Sequence, residues 1–136
     1  MTRVVDASVV VAGLVDSGAD GEWAAPILAS GVLVAPQLMH AEAANILRRA
    51  SLAGEISVDR ATEAYGYLLD LRVLLYPFEA FAERIWELRN ALTIYDAWYV
   101  AMAEHLDVEL ATLDRRLSRA PGPECRFLLP GPGAEE

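Results

Sequence analysis

The segment Arg3-Val4-Val5-Asp6, which runs without a break into Ala7 to Val15, decides the fold class. The first part is short, β-branched and closed by an acid, so it reads as a buried strand. The apolar run that follows reads as a helix, with Asp16-Ser17-Gly18 as its stop. A strand therefore hands over to a helix with a carboxylate at the junction. In open α/β sheets ligands bind beyond the carboxyl ends of the strands, which puts Asp6 where a site would form. Read locally, the same carboxylate would serve equally as the N-cap of the helix.

The pattern repeats along the chain. A helix is expected over Gly21 to Ser30, kinked at Pro26, then a strand over Val32 to Ala35 closed by Pro36. Helices follow over Gln37 to Ala53, ended by Gly54, and over Ser57 to Leu71, with Ser57 as N-cap. Arg72 to Tyr76 reads as a third strand stopped by Pro77, Glu79 to Asn90 as a half-solvated helix, and Thr93 to Leu106 as a more apolar one. Val108 to Thr112 is a fourth strand, Arg115 to Arg119 a short helical turn broken by Pro121-Gly122-Pro123, and Arg126 to Leu129 a last strand. This alternation predicts a parallel sheet flanked by helices. Residues 1–130 are read as one domain and 131–136 as a flexible tail.

Composition narrows the function. The chain has 136 residues, 54% hydrophobic and 23% charged, which suits one domain with a real core. Its net charge is -9 and every basic residue is Arg, so a broad basic face for DNA is excluded. A nucleic-acid substrate stays open if the acids surround divalent cations, which invert the local charge. The lone Cys125 points to a reducing compartment, and no apolar run reaches the length of a membrane span. Asp6 also interrupts what would be the apolar part of a signal peptide, so a cytoplasmic protein without membrane attachment is expected.

Four acids stand in apolar settings. Asp96 is the single charge in Thr93-Ile-Tyr-Asp-Ala-Trp-Tyr-Val-Ala-Met-Ala103, where a buried carboxylate needs a partner or a cation. A capping box begun by Thr93 is the competing reading. Glu42 shares a helix face with Leu38 and Ile46, and Asn45 lies beside it. Asp114 ends the fourth strand as Asp6 ends the first, and it too would cap a helix. If Asp6, Glu42, Asp96 and Asp114 converge, their repulsion calls for a hard cation with oxygen ligands, and Mg²⁺ suits such a set. His40-Ala41-Glu42 matches only half of the zinc deaminase pattern, because no Cys pair follows. An aspartyl-nucleophile phosphatase would want an acid two residues after Asp6, where Ser8 stands.

Asp6-Ala7-Ser8, Glu42 with Asn45, Leu92-Thr93-x-Tyr95-Asp96-Ala97 and Thr112-Leu113-Asp114 resemble the PIN-domain nucleases. In order and spacing they are most similar to the VapC toxins of bacterial toxin-antitoxin modules. The resemblance runs from Val4 to about Leu129 and implies a PIN-like three-layer α/β/α sandwich around a mostly parallel sheet of four or five strands. It also implies an endoribonuclease dependent on Mg²⁺ or Mn²⁺, with Asp6, Glu42, Asp96 and Asp114 as catalytic and metal-holding residues and no organic cofactor. A bound metal makes a nucleophile of water and offsets charge building on the phosphate. Ser8 and Thr112 are candidates to position that water or a phosphate oxygen. Arg115 and Arg116 are candidate phosphate contacts, or else a solvated helix end. A cognate antitoxin, a homodimer and a hydrophobic groove on the helices at Gln37 to Ala53 and Ser57 to Leu71 are implied as well. The alternative is a non-catalytic RNA- or protein-binding module on the same fold.

Overall fold

The computed structural model describes residues 1–131; the expected flexible tail lies, but for Gly131, outside them. Five strands form one sheet: β1 (Thr2–Val5), β2 (Val32–Pro36), β3 (Leu74–Tyr76), β4 (Glu109–Ala111) and β5 (Phe127–Leu128). All pairings are parallel and the order is β3-β2-β1-β4-β5. The helices are α1 (Ala7–Val15), α2 (Ala19–Leu28), α3 (Met39–Leu52), α4 (Val58–Asp70), α5 (Ala82–Glu87), α6 (Ile94–Leu106) and α7 (Arg115–Arg119). The chain winds outward from β1 to β3 and then returns to β4. Right-handed crossovers therefore put α1 to α4 on one face and α5 and α6 on the other. The contacts agree: α1 packs with α2, α3 and α4, while α6 packs on β1, β2, β4 and α5.

The central position of β1 follows from its composition. Val4 and Val5 are completely buried, as are Val9 and Val10 one turn into α1, so this segment has apolar neighbours on all sides. The winding reverses between β1 and β4, and there the ends of the two strands lie side by side, with Val5 opposite Ala111. That reversal opens a crevice at their carboxyl ends.

Several expected boundaries move, each for a local reason. α3 starts at Met39 and not Gln37, because the Gln37 amide donates to the Tyr76 carbonyl (3.0 Å) and prolongs the ladder to β3. α2 starts at Ala19, two residues before Gly21, and continues through Pro26 to Leu28. The turn after it needs Gly31, whose φ is +71° and whose absent Cβ would lie 2.2 Å from the Met1 carbonyl oxygen. The third strand omits Arg72 and Val73, since pairing with β2 begins at Leu74. The helix expected over Glu79 to Asn90 is a 3₁₀ turn over Glu79–Phe81 followed by α5. Phe81 leaves the helical region at φ −121°, and its ring packs near Tyr76 and edge-on against His105.

Candidate active site

The crevice at the reversal contains all four acids. A cleft of about 450 Å³ is lined by Asp6, Ser8, Glu42, Asn45, Ile46, Arg49, Asp96, Tyr99 and Asp114. Each carboxylate arrives at the start of a helix. Asp6 caps α1 by accepting from the Val9 amide (3.0 Å), and Asp114 caps α7 by accepting from Arg116 (2.9 Å) and Leu117 (3.2 Å). Glu42 lies in the first turn of α3. Asp96 lies in the first turn of α6, where the Thr93 hydroxyl accepts from its amide (3.2 Å). The capping and functional readings of these acids are thus compatible. Helix N-termini carry partial positive charge, which helps to hold anions in one place.

Asp6 is the most constrained. Its Oδ1 accepts from the Ser8 hydroxyl (2.6 Å) as well as from Val9, and its Oδ2 accepts from the Thr112 hydroxyl. The Thr112 oxygen in turn accepts from the Asp114 amide (3.0 Å), so β4 and its loop are fastened to the end of β1. Thr112 is fully buried, and both hydroxyls expected to meet water or phosphate are directed at Asp6.

The PIN domain family matches residues 3–123. The chain belongs to the PIN-domain family. Ribonuclease VapC1 of Mycobacterium tuberculosis is 43% identical over 130 residues, which are 93% of this chain and 96% of that one. The crystal structure of PAE2754 from Pyrobaculum aerophilum aligns with TM-score 0.67 and 25% identity, covering 93% of this chain and 89% of its own. VapBC-5 from Mycobacterium tuberculosis, a member of the VapBC family of toxin-antitoxin systems, aligns with TM-score 0.55 and 20% identity. It covers 94% of this chain and 96% of its own, a likeness of fold.

In this PIN domain the electrostatics follow from burial first and crowding second. Burial raises the Asp6 carboxyl above its ordinary pKa; the bonds from Ser8, Thr112 and Val9 oppose this, and the Asp96 charge adds to it. Burial likewise raises Glu42, with a lowering contribution from Tyr99 and further raising from Asp96 and Asp6. Asp96 is raised by burial and by Asp114, against the pull of Thr93 and Arg116. Asp6, Glu42 and Asp96 resist ionisation first because they are buried and then because acids stand near them, which is the electrostatic condition a cation relieves. Among the described residues no three His, Cys, Asp or Glu side chains stand in a geometry that holds a metal ion. The donors nevertheless fit in kind, since carboxylate and amide oxygens are what Mg²⁺ and Mn²⁺ take, and Asp6 brings Asp96 and Glu42 under one field. Cys125 offers no competing chemistry, because burial pushes its thiol up to about 11.

The remaining expected residues are placed differently. The Arg115 guanidinium donates to the carbonyls of Pro130 and Gly131 (3.4 Å for the latter), so it fastens the C-terminal segment. Arg116 is 93% exposed, with Nε 3.9 Å from Asp114 Oδ1. Asn45 lines the cleft, but the hydrogen bond to Glu42 comes from elsewhere, from the Tyr99 hydroxyl at 2.8 Å. Sequence reading missed Tyr99 and Arg49. Helical spacing was the available signal: Tyr99 follows Asp96 by three residues, and Arg49 follows Glu42 by seven, each on its partner's face.

Proposed function

We propose that this PIN domain is the toxin of a toxin-antitoxin pair and cuts RNA by metal-assisted phosphodiester hydrolysis in the cytoplasm. The observation that carries the reading is the convergence of Asp6, Glu42, Asp96 and Asp114 in one cleft beyond β1 and β4. Asp6, Asp96 and Asp114 would hold Mg²⁺ or Mn²⁺ directly or through water, with Glu42 completing the set. When bound, the ion supplies a water of lowered pKa and offsets charge on the scissile phosphate. The chain's own part is to keep Asp6 immobile through Ser8, Thr112 and the Val9 amide. Its second task is to receive the RNA. Arg49 is exposed, and its guanidinium has no hydrogen bond or ion pair among the described residues. It stands about 10 Å along α3 from Glu42, within reach of a neighbouring phosphate, with Arg116 as a second contact.

The antitoxin part of the proposal has its own support. An apolar groove of about 650 Å³ runs between α1, α3 and α4, lined by Val11, Val15, Ile46, Ala50 and Ile56 among others. It shares Ser8 and Ile46 with the acid cleft, so a bound segment of antitoxin would lie against the site. A homodimer is supported by exposed apolar side chains on α4 and on the edge strand β3: Tyr65, Leu69, Leu74 and Leu75. Among the described residues no helix is long and apolar enough to cross a membrane.

The test is titration of Mg²⁺ or Mn²⁺ into the purified protein with a mixed RNA pool, alongside Asp6→Ala. Cleavage that requires the metal and is absent in the variant supports the proposal. Metal-independent RNA binding without cleavage, unchanged in the variant, would replace it with the binding-module reading.

A further inference from the structure

Glu42 is the one acid of the cleft with a side chain long enough to swing, and it lies on α3, across the cleft from α6. Asp6 is fixed by three donors, whereas among the described residues the Glu42 carboxylate accepts a single hydrogen bond, from the Tyr99 hydroxyl at 2.8 Å to Oε1. Tyr99 is itself immobile: it is 3% exposed, in the most deeply buried part of α6, between Trp98 and Val100. Its rigid ring therefore transfers the position of α6, and of Asp96 on the same face, to a flexible carboxylate on another helix. A phenylalanine would fill this volume without needing a polar partner, so the hydroxyl is unnecessary for packing alone.

We propose that Tyr99 is the positioning residue of the metal site: by donating to Glu42 Oε1 it fixes that carboxylate and leaves Oε2 free to hold a cation in the cleft. The proposal rests on the metal reading above and adds a residue that does not touch the ion. Outer-shell partners of ligating carboxylates are worth roughly 10 to 100-fold in metal affinity. The proposed route runs through the Glu42 carboxylate, so the contribution of Tyr99 to metal binding must vanish when that carboxylate is gone.

The experiment is Mn²⁺ binding without RNA, followed by the paramagnetic resonance signal of free Mn²⁺. Wild type, Tyr99→Phe, Glu42→Gln and the double variant form a cycle, with thermal melting as the check on folding. Tyr99→Phe preserves ring volume and is expected to weaken Mn²⁺ binding by about 10 to 100-fold in the wild-type background. In the Glu42→Gln background it is expected to change nothing beyond about twofold. Glu42→Asp, which shortens the reach to the phenol, is expected to bind weakly and to be equally insensitive to Tyr99→Phe. Wild-type affinity in Tyr99→Phe would overturn the proposal while leaving the metal reading intact. An equal loss in both Glu42 backgrounds would also overturn it, because Tyr99 would then act through the fold at large. A wild-type protein that takes up no Mn²⁺ would overturn the metal reading itself, and this proposal with it.

Discussion

Replacing Arg84 with Met tests how the far end of α6 is held. Arg84 Nε donates to Glu104 Oε1 at 2.7 Å and Nη2 to Oε2 at 3.1 Å, a two-pronged pair. Nη2 also donates to the Gly122 carbonyl (2.9 Å), and Glu104 Oε2 accepts from the Glu124 amide (2.7 Å). One guanidinium thus joins α5, α6 and the Gly122 to Glu124 loop. Methionine keeps much of the apolar stem but leaves Glu104, only 14% exposed, with a single amide donor. Exposed ion pairs are worth about 0 to 1 kcal/mol, and breaking a buried one costs about 3 to 5. Arg84 is 30% exposed and its contact to Glu87, at 55%, adds little, so the expected loss is about 2 kcal/mol. Urea unfolding at pH 7 measures it, with Glu104→Gln and the double variant giving the coupling. The pH dependence has a definite sign. Burial alone would raise the Glu104 carboxyl, but the Arg84 and Glu124 bonds together outweigh it and hold the pKa below the ordinary value. Stability from such a group is present above its unfolded pKa, about 4.3, and lost as pH falls through the folded value. The gap between wild type and variant must therefore close in acid. A loss under about 0.5 kcal/mol at pH 7, or one of equal size at pH 7 and in strong acid, would refute the reasoning.

The crowded acids give the opposite sign. Asp96 is raised by burial and Asp114, so Asp96→Asn is expected to raise the melting temperature at pH 7 while abolishing cleavage. That gain should vanish below about pH 3.9, where the acid is protonated in both states, as scanning fluorimetry across pH would show. Mn²⁺ at a hundred times its dissociation constant should stabilise wild type by about 2.7 kcal/mol and Asp96→Asn by much less, read from the same melts. Arg49→Ala should weaken RNA binding and lower the salt slope by about 0.7 with little change in kcat, as binding at several salt concentrations would test. Gly31→Ala forces a Cβ onto the Met1 carbonyl at φ +71° and should cost about 1 to 3 kcal/mol in urea unfolding.

The local periodicity of the chain made most of the fold legible. α1 spans Ala7–Val15 as its apolar run required, and Ser57 and Thr93 cap α4 and α6 as their spacing required, accepting from Arg60 (3.1 Å) and Asp96 (3.2 Å). The boundaries that moved were those decided by distant partners. Gln37 stayed out of α3 because Tyr76, far along the chain, offered its carbonyl to the Gln37 amide, and no pattern near Gln37 announces that. The acids were legible because a charge in an apolar run is conspicuous at any distance from its partners. Their supporting groups were less so. Ser8 and Thr112 looked like free hydroxyls; Ser8 reaches Asp6 from two residues away within the same turn, while only the parallel register of β1 and β4 directs Thr112 at it.

The sequence by itself determined the alternation of strands and helices, the four carboxylates and the PIN-domain resemblance, because hydrophobic period, capping residues and isolated charges are properties of short windows. Only the tertiary structure decided which groups serve those carboxylates. It turned Arg115 to the C-terminal carbonyls, placed Arg49 at the cleft, and set the Tyr99 hydroxyl of α6 on Glu42 of α3. The last of these depends on a helix-to-helix approach across 57 residues of chain, a distance that packing fixes and no local pattern encodes.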